Sequence, residues 1–192
     1  LNDSEHDFGK NVIPDMVRAG EGVFAWPLED LNKKEKPYWR DVGTLDSFYE
    51  ANMDLISVTP QLNLYDEEWP IRTHREHLPP AKFLFSDPDG IRRGQALDSL
   101  VSAGAIVSGG TVVRSVLSPS VRVNSYSLVE DSVLLGGVDI GRHAVVKHAI
   151  IDKRVRIPPG TRIGCNLDED RRRFSVTAKG VVVVPKEMVF PS

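Results

Sequence analysis

The chain has 192 residues, 41% of them hydrophobic and 27% charged, and a formal net charge of -3. Those proportions belong to a folded protein and not to a disordered tail, and the weak acidity offers no basic surface to nucleic acid. No apolar run reaches the length of a membrane span, so neither nucleic acid nor membrane is expected as a partner.

The acidic, polar start Leu1-Asn2-Asp3-Ser4-Glu5 is not a signal peptide, and it lacks an initiator Met. The sequence is therefore expected to begin inside a longer, cytoplasmic protein. Residues 1–58 have α/β texture. Val12, Ile13, Met16 and Val17 recur at helical spacing, with Pro14 near the start and Gly20 at the end. Val23-Phe24-Ala25-Trp26 predicts a short strand, residues 33–36 a charged loop, and Tyr38-Trp39-Arg40-Asp41-Val42 a second strand. Thr44 then N-caps a helix whose face carries Leu45, Phe48, Tyr49, Asn52, Leu55 and Ile56, and Asn52 on that apolar stripe needs a hydrogen-bond partner. Residues 59–95, broken by Pro60, Pro70, Pro79, Pro80 and Pro88, predict an ordered connector anchored at Leu78-Pro79-Pro80-Ala81-Lys82-Phe83.

From residue 96 the texture changes. Aliphatics recur six apart at Leu100, Ile106 and Val112. The register slips through Val116, Val121 and Leu128, resumes at Leu134, Ile140 and Val146, slips by one to Ile151, and continues with Ile157 and Ile163. Small residues fill much of the space between. A six-residue period marks a parallel β-helix, each hexad being one strand and one corner with the aliphatic pointing inward. Residues 165–192 leave the repeat and predict its cap: a loop or short helix at Asp168-Glu169-Asp170-Arg171-Arg172-Arg173, self-paired in charge, then a strand at Val181-Val182-Val183-Val184. The lone Cys165 reads as a small residue in a reduced compartment.

The segment Pro37-Tyr38-Trp39-Arg40-Asp41-Val42-Gly43-Thr44 resembles a signature of sugar-nucleotide pyrophosphorylases, and its core is close to the bacterial ADP-glucose enzymes. Four further blocks agree in order: Ser4-Glu5-His6-Asp7-Phe8-Gly9-Lys10; Asn63-Leu64-Tyr65 before Trp69-Pro70-Ile71-Arg72-Thr73; Leu78-Pro79-Pro80-Ala81-Lys82-Phe83; and Asp168-Glu169-Asp170 with Arg172-Arg173-Phe174. Across almost its whole length the chain thus resembles the C-terminal half of the bacterial ADP-glucose pyrophosphorylase family, the glucose-1-phosphate adenylyltransferases. The fold class this implies is an α/β remnant of a nucleotidyltransferase domain (1–58), a connector (59–95), and a left-handed parallel β-helix with a C-terminal cap (96–192). The handedness comes from the resemblance alone.

The implied reaction joins ATP and glucose 1-phosphate into ADP-glucose and pyrophosphate, for glycogen synthesis. It needs Mg²⁺, because the attacking and leaving groups are both anionic. The resemblance places a metal-binding, catalytic carboxylate at Asp41, whose alternative is a local cap. Trp39, two residues away on the expected strand, faces the same side as a pocket wall or as core. Asp7 is a candidate sugar contact or a helix-start residue, Lys10 a candidate phosphate contact or a solvated lysine. The family's nucleotide loop has no counterpart here, so this chain alone is expected to be inactive. Lys153 and Lys186 fall where family members place basic residues for anionic allosteric effectors, and a homotetramer is expected. A hexapeptide-repeat acyltransferase, with His143 or His148 as base, is the competing enzyme class. A non-catalytic regulatory or assembly subunit is the other alternative.

Overall fold

The computed structural model describes residues 6–28, 38–68, 70–74 and 76–190. The expected loop at 33–36 and Trp69 lie outside the described residues. The chain divides into two compact units, Leu1–Pro37 and Tyr38–Ser192.

In the first unit, Asp7 starts the helical segment by accepting the Lys10 N–H on its own carboxylate at 2.7 Å. A wide turn over Phe8–Val12 follows, in which the Val12 N–H reaches back to the Asp7 carbonyl. Helix α1 (Ile13–Arg18) carries Pro14 in its first turn, where a missing N–H leaves no bond unmade. Gly20 closes it at φ 74°. The strand expected at Val23-Phe24-Ala25-Trp26 does not form among the described residues. Phe24 and Trp26 are more than 90% exposed. Aromatic and β-branched composition favours a strand only against a partner strand, and none is paired with it here.

The second unit opens with another such difference. Tyr38-Trp39-Arg40-Asp41-Val42 makes no ladder. Instead the Asp41 carboxylate accepts the Gly43 N–H at 2.9 Å, a local turn that competes with sheet pairing. Thr44 caps helix α2 (Leu45–Asp54) as expected, in a reciprocal capping box with Ser47. Asn52 finds its partner on its own helix, donating to the Phe48 carbonyl at 2.9 Å. Because α2 packs on the solenoid, the contact division falls at Pro37 and not at 58.

The rest is a parallel β-solenoid. Among the described residues it has three sheets, of five, five and six strands, and the only antiparallel strand pair is the terminal hairpin of Ser175–Val176 and Val182–Val184. The ladder begins at Lys82–Leu84, paired with Ile106–Ser108, and continues through Gln95–Leu97. The first coil thus begins inside the segment read as connector. Its strands are too short to show a repeat before the second coil confirms it.

Pairing fixes which aliphatics point inward. Val107, Val123, Ile140 and Ile157 stack in one column. Ala96, Val112, Val129, Val146 and Ile163 form a second. Val101, Leu117, Leu134, Ile151 and Val184 form the third. Fully buried members contribute about 1.5–3 kcal/mol each. The expected inward series is right from Leu134 onward, and at Val112 and Val121. It is one residue early at Leu100, Ile106, Val116 and Leu128, which are half-buried. Each of these precedes another aliphatic, and side chains alternate along a strand, so only the pairing decides which of the two faces the core.

The slip in period has a structural cause. From Val112 to Leu117, Val129 to Leu134 and Val146 to Ile151 the inward step is five residues instead of six. This short corner carries a column of serines. Ser99, Ser115 and Ser132 each donate a hydroxyl to the carbonyl two residues earlier, at 2.7–2.8 Å. Each accepts the N–H of the next coil, from Ser115, Ser132 and Ala149 in turn, at 3.0–3.2 Å. Ser115 and Ser132 are fully buried, so those N–H groups have no water to turn to. Corner residues take the left-handed conformation: Gly104, Ser120, Gly137 and Arg154 in one column, Gly109, Tyr126, His143 and Gly160 in another.

Helix α3 (Leu167–Arg173) covers the far end. Asn166 caps it, Arg171 pairs with Asp168, and Phe174 joins the core with Met188 and Phe190 against it. The carboxylate of Asp170 is only 1% exposed; it accepts the Gly164 N–H at 2.9 Å and pairs with Arg173 at 2.9 Å. Cys165 is exposed rather than part of the core.

Two glycines at one φ separate conformational cost from steric cost. Gly164 and Gly160 have φ of 71° and 72°; a methyl on Gly164 would meet the Lys147 carbonyl oxygen at 1.8 Å, whereas one on Gly160 meets nothing within 4 Å. Gly160→Ala should cost about 1 kcal/mol and Gly164→Ala clearly more, on the order of 3 kcal/mol or failure to fold. Urea melts of the two variants check the order; equal midpoints would contradict it.

Candidate functional site

The candidate residues fall in three separate stretches of the chain. Asp7 and Lys10 lie in the first unit. The Asp7 carboxylate is engaged with the Lys10 N–H, which is the helix-start role, and both residues are exposed.

Asp41 and Trp39 lie at the start of the second unit. Asp41 is exposed, with Oδ1 aimed by the Gly43 N–H. Trp39 is 85% exposed and so not core. Neither lies on a strand, so the expected shared strand face does not arise. Next to them, Arg40 Nη2 lies 3.5 Å from Glu50 Oε2 on α2, and Glu50 Oε1 accepts from Lys179 Nζ. These cations, Lys179 first, hold the Glu50 carboxyl below the usual carboxylate range.

Helix α2 is fixed to the outer face of the solenoid. Phe48, Tyr49 and Met53 pack on Val133, Ile150, Val181 and Val183. The Tyr49 hydroxyl donates to the Asp131 carbonyl at 2.6 Å and lies 3.0 Å from His148 Nδ1. With its proton on Asp131, that hydroxyl is the acceptor for His148. Burial, then the charge of Asp131, pushes the Tyr49 pKa up to about 12.

The third part is the far corner of the solenoid. The Asp152 carboxylate accepts the Lys153 N–H at 2.7 Å with one oxygen and the Lys186 N–H at 3.2 Å with the other. One clamp therefore brings together the backbones of the two expected effector residues. Lys153 and Arg154 also line a groove of about 810 Å³, with His74 and Glu76 from the connector and Ser118 and Ser120 from the solenoid corners. The sequence reading missed Arg154 and His74, since nothing in the sequence brings the connector against that corner.

The competing histidines are already occupied. His143 stacks on Tyr126, with ring centroids 4.9 Å apart, and His148 meets Tyr49. They sit on different corner columns and form no joint site. Among the described residues no group of three or more His, Cys, Asp or Glu is placed to hold a metal ion, and no helix is long and apolar enough to cross a membrane.

Residues 79–184 match the family model described as GlmU-like, C-terminal hexapeptide, and residues 2–58 match the nucleotidyl transferase model. The chain belongs to the hexapeptide family of GlmU-like C-terminal β-solenoids, with a short nucleotidyltransferase remnant before it. More particularly, it is similar to enzymes named glucose-1-phosphate adenylyltransferase. The identity is 55% over 190 residues to that of Rhodopirellula baltica, covering 97% of this chain and 42% of the relative. It is 51% over 192 residues to that of Nitrosomonas europaea, covering 98% and 44%. It is 56% over 187 residues to that of Shewanella sp. strain W3-18-1, covering 97% and 44%. The chain spans less than half the length of these curated relatives.

The docking of α2 makes a prediction of its own. Tyr49→Phe leaves the Asp131 carbonyl and His148 without their partner and should cost about 1–2 kcal/mol in urea unfolding. A tyrosine pKa raised on folding contributes stability that is complete below pH 10 and is lost as pH rises from 10 toward about 12. The wild type should lose stability across that window, and Tyr49→Phe should lack that component. Identical alkaline profiles would show that the hydroxyl does not hold the helix.

Proposed function

We propose that this chain works as part of a glucose-1-phosphate adenylyltransferase, which makes ADP-glucose and pyrophosphate from ATP and glucose 1-phosphate. The observation that carries this reading is the 51–56% identity to three such enzymes over nearly the whole chain, a span that takes in Asp41.

In that reaction the sugar phosphate attacks the α-phosphorus of ATP. Mg²⁺, when bound, would neutralise charge on the phosphates. Asp41 fits as one ligand for it: a hard, exposed carboxylate, already oriented by Gly43. With no cluster of ligand residues around it among the described residues, the remaining ligands would be phosphates, water or a carboxylate outside them. Trp39 offers a flat wall to the site. Asp7 and Lys10 are proposed contacts for the sugar and a phosphate. Lys153 and Lys186, held by Asp152 beside the groove, are proposed to take anionic effectors. The assembly is proposed to be a cytoplasmic homotetramer, built through the solenoid's faces and open strand edges.

In the enzyme carrying these residues, Asp41→Asn should lower ADP-glucose formation by about a hundredfold or more while the thermal midpoint is kept. Turnover near that of the wild type would remove Asp41 from the metal site. If the full-length protein that carries these residues makes no ADP-glucose, the chain is part of a regulatory or assembly subunit instead.

Lys153→Ala and Lys186→Ala should each raise the effector concentration for half-maximal response by about fivefold to tenfold. An unchanged response to sugar bisphosphates and to AMP would return both to ordinary surface lysines.

A further inference from the structure

Residues 38–43 belong to no ladder, yet they carry the proposed metal ligand. Something other than sheet pairing must hold them, and the side chains around Arg40 are arranged to do so. Glu50 lies on α2 with its two oxygens turned to different cations, Arg40 on one side and Lys179 on the other. Asp46, one turn earlier on the same helix, has Oδ1 buried with no hydrogen-bond donor among the described residues. Two carboxylates four residues apart repel each other, and here Arg40 and Lys179 offset that repulsion. Both ends of the cluster are anchored. Helix α2 is fixed through Tyr49, and Lys179 stands in the tight turn of the terminal hairpin, where the Gly180 N–H reaches the Thr177 carbonyl at 3.0 Å.

We infer that Glu50 is a positioning residue: it ties Arg40 to Lys179 at the end of the solenoid, and so fixes the backbone that aims the Asp41 carboxylate. The inference rests on the proposed metal role of Asp41. Its contribution is to geometry and not to stability, because exposed ion pairs add little to folding. A carboxylate that acts through Arg40 on a metal ligand has the character of an outer-shell group, whose removal weakens metal binding without unfolding the protein.

The test uses the full-length enzyme and Mn²⁺ as a paramagnetic stand-in for Mg²⁺, with binding read by electron paramagnetic resonance. Glu50→Gln and Lys179→Met should each weaken Mn²⁺ binding by about tenfold. Both should speed amide exchange at Gly43, whose N–H rests on Asp41, with the thermal midpoint unchanged. Lys179→Arg, which keeps the charge, should preserve both properties. Unchanged exchange and Mn²⁺ binding in Glu50→Gln, while Asp41→Asn abolishes Mn²⁺ binding, would overturn the positioning role and leave the function intact. Full Mn²⁺ binding by Asp41→Asn would remove the metal reading, and the inference with it.

Discussion

Everything in the second unit depends on coil-to-coil registry. Along the solenoid's strands the backbone groups find their partners in the neighbouring coil at the equivalent position, so a strand residue's side-chain direction and its place on a face are set by the residue one coil away. Val123 is inward because Val107 and Ile140 are. A corner residue adopts a left-handed φ, as Tyr126 and His143 do at 64° and 59°, because the coils on either side over-determine it.

That registry explains what was legible in the sequence. A period near six with small residues between is a property of composition, and it revealed the solenoid and the residues that leave it for the cap. Ile140, Ile157 and Ile163 have no aliphatic residue directly beside them, so their inward direction could be read directly. Ile106-Val107, Val116-Leu117 and Leu128-Val129 are apolar pairs, and a pair does not say which member is inside; only the partner coil does. The same limit applies to the two strands that did not form. Val23-Phe24-Ala25-Trp26 and Tyr38-Trp39-Arg40-Asp41-Val42 have the side chains of strands but, among the described residues, no neighbour to pair with. The first coil, at 82–97, was hidden for the opposite reason: its strands pair well but lie among prolines.

The candidate site was legible residue by residue but not as an arrangement. Asp41, Lys153 and Lys186 were proposed from motif and position. That one carboxylate, Asp152, gathers the backbones of both lysines depends on the terminal strand Val182–Val184 returning beside Ala149–Ile151 after α3, a long-range pairing with no local signal. The docking of α2 is similar. Its amphipathic face could be read, but its target is the outward column of the third sheet, apolar at Val133 and Ile150 for that purpose.

The serine column ends at Ala149, and the strand that lies next to it shows why. Coils that follow the chain arrive at the short corner with an N–H that no carbonyl reaches, and the hydroxyl of the coil before supplies the acceptor. The strand over Ala149 does not arrive that way. It enters from the hairpin after α3, and the Val182 N–H reaches the His148 carbonyl directly at 3.0 Å. A hydroxyl there has no donor left to receive. Ser-Ser-Ser-Ala at positions 99, 115, 132 and 149 is therefore a ruler written in the sequence: it counts the coils laid down in succession, and the alanine marks where the column accepts a strand from elsewhere in the chain.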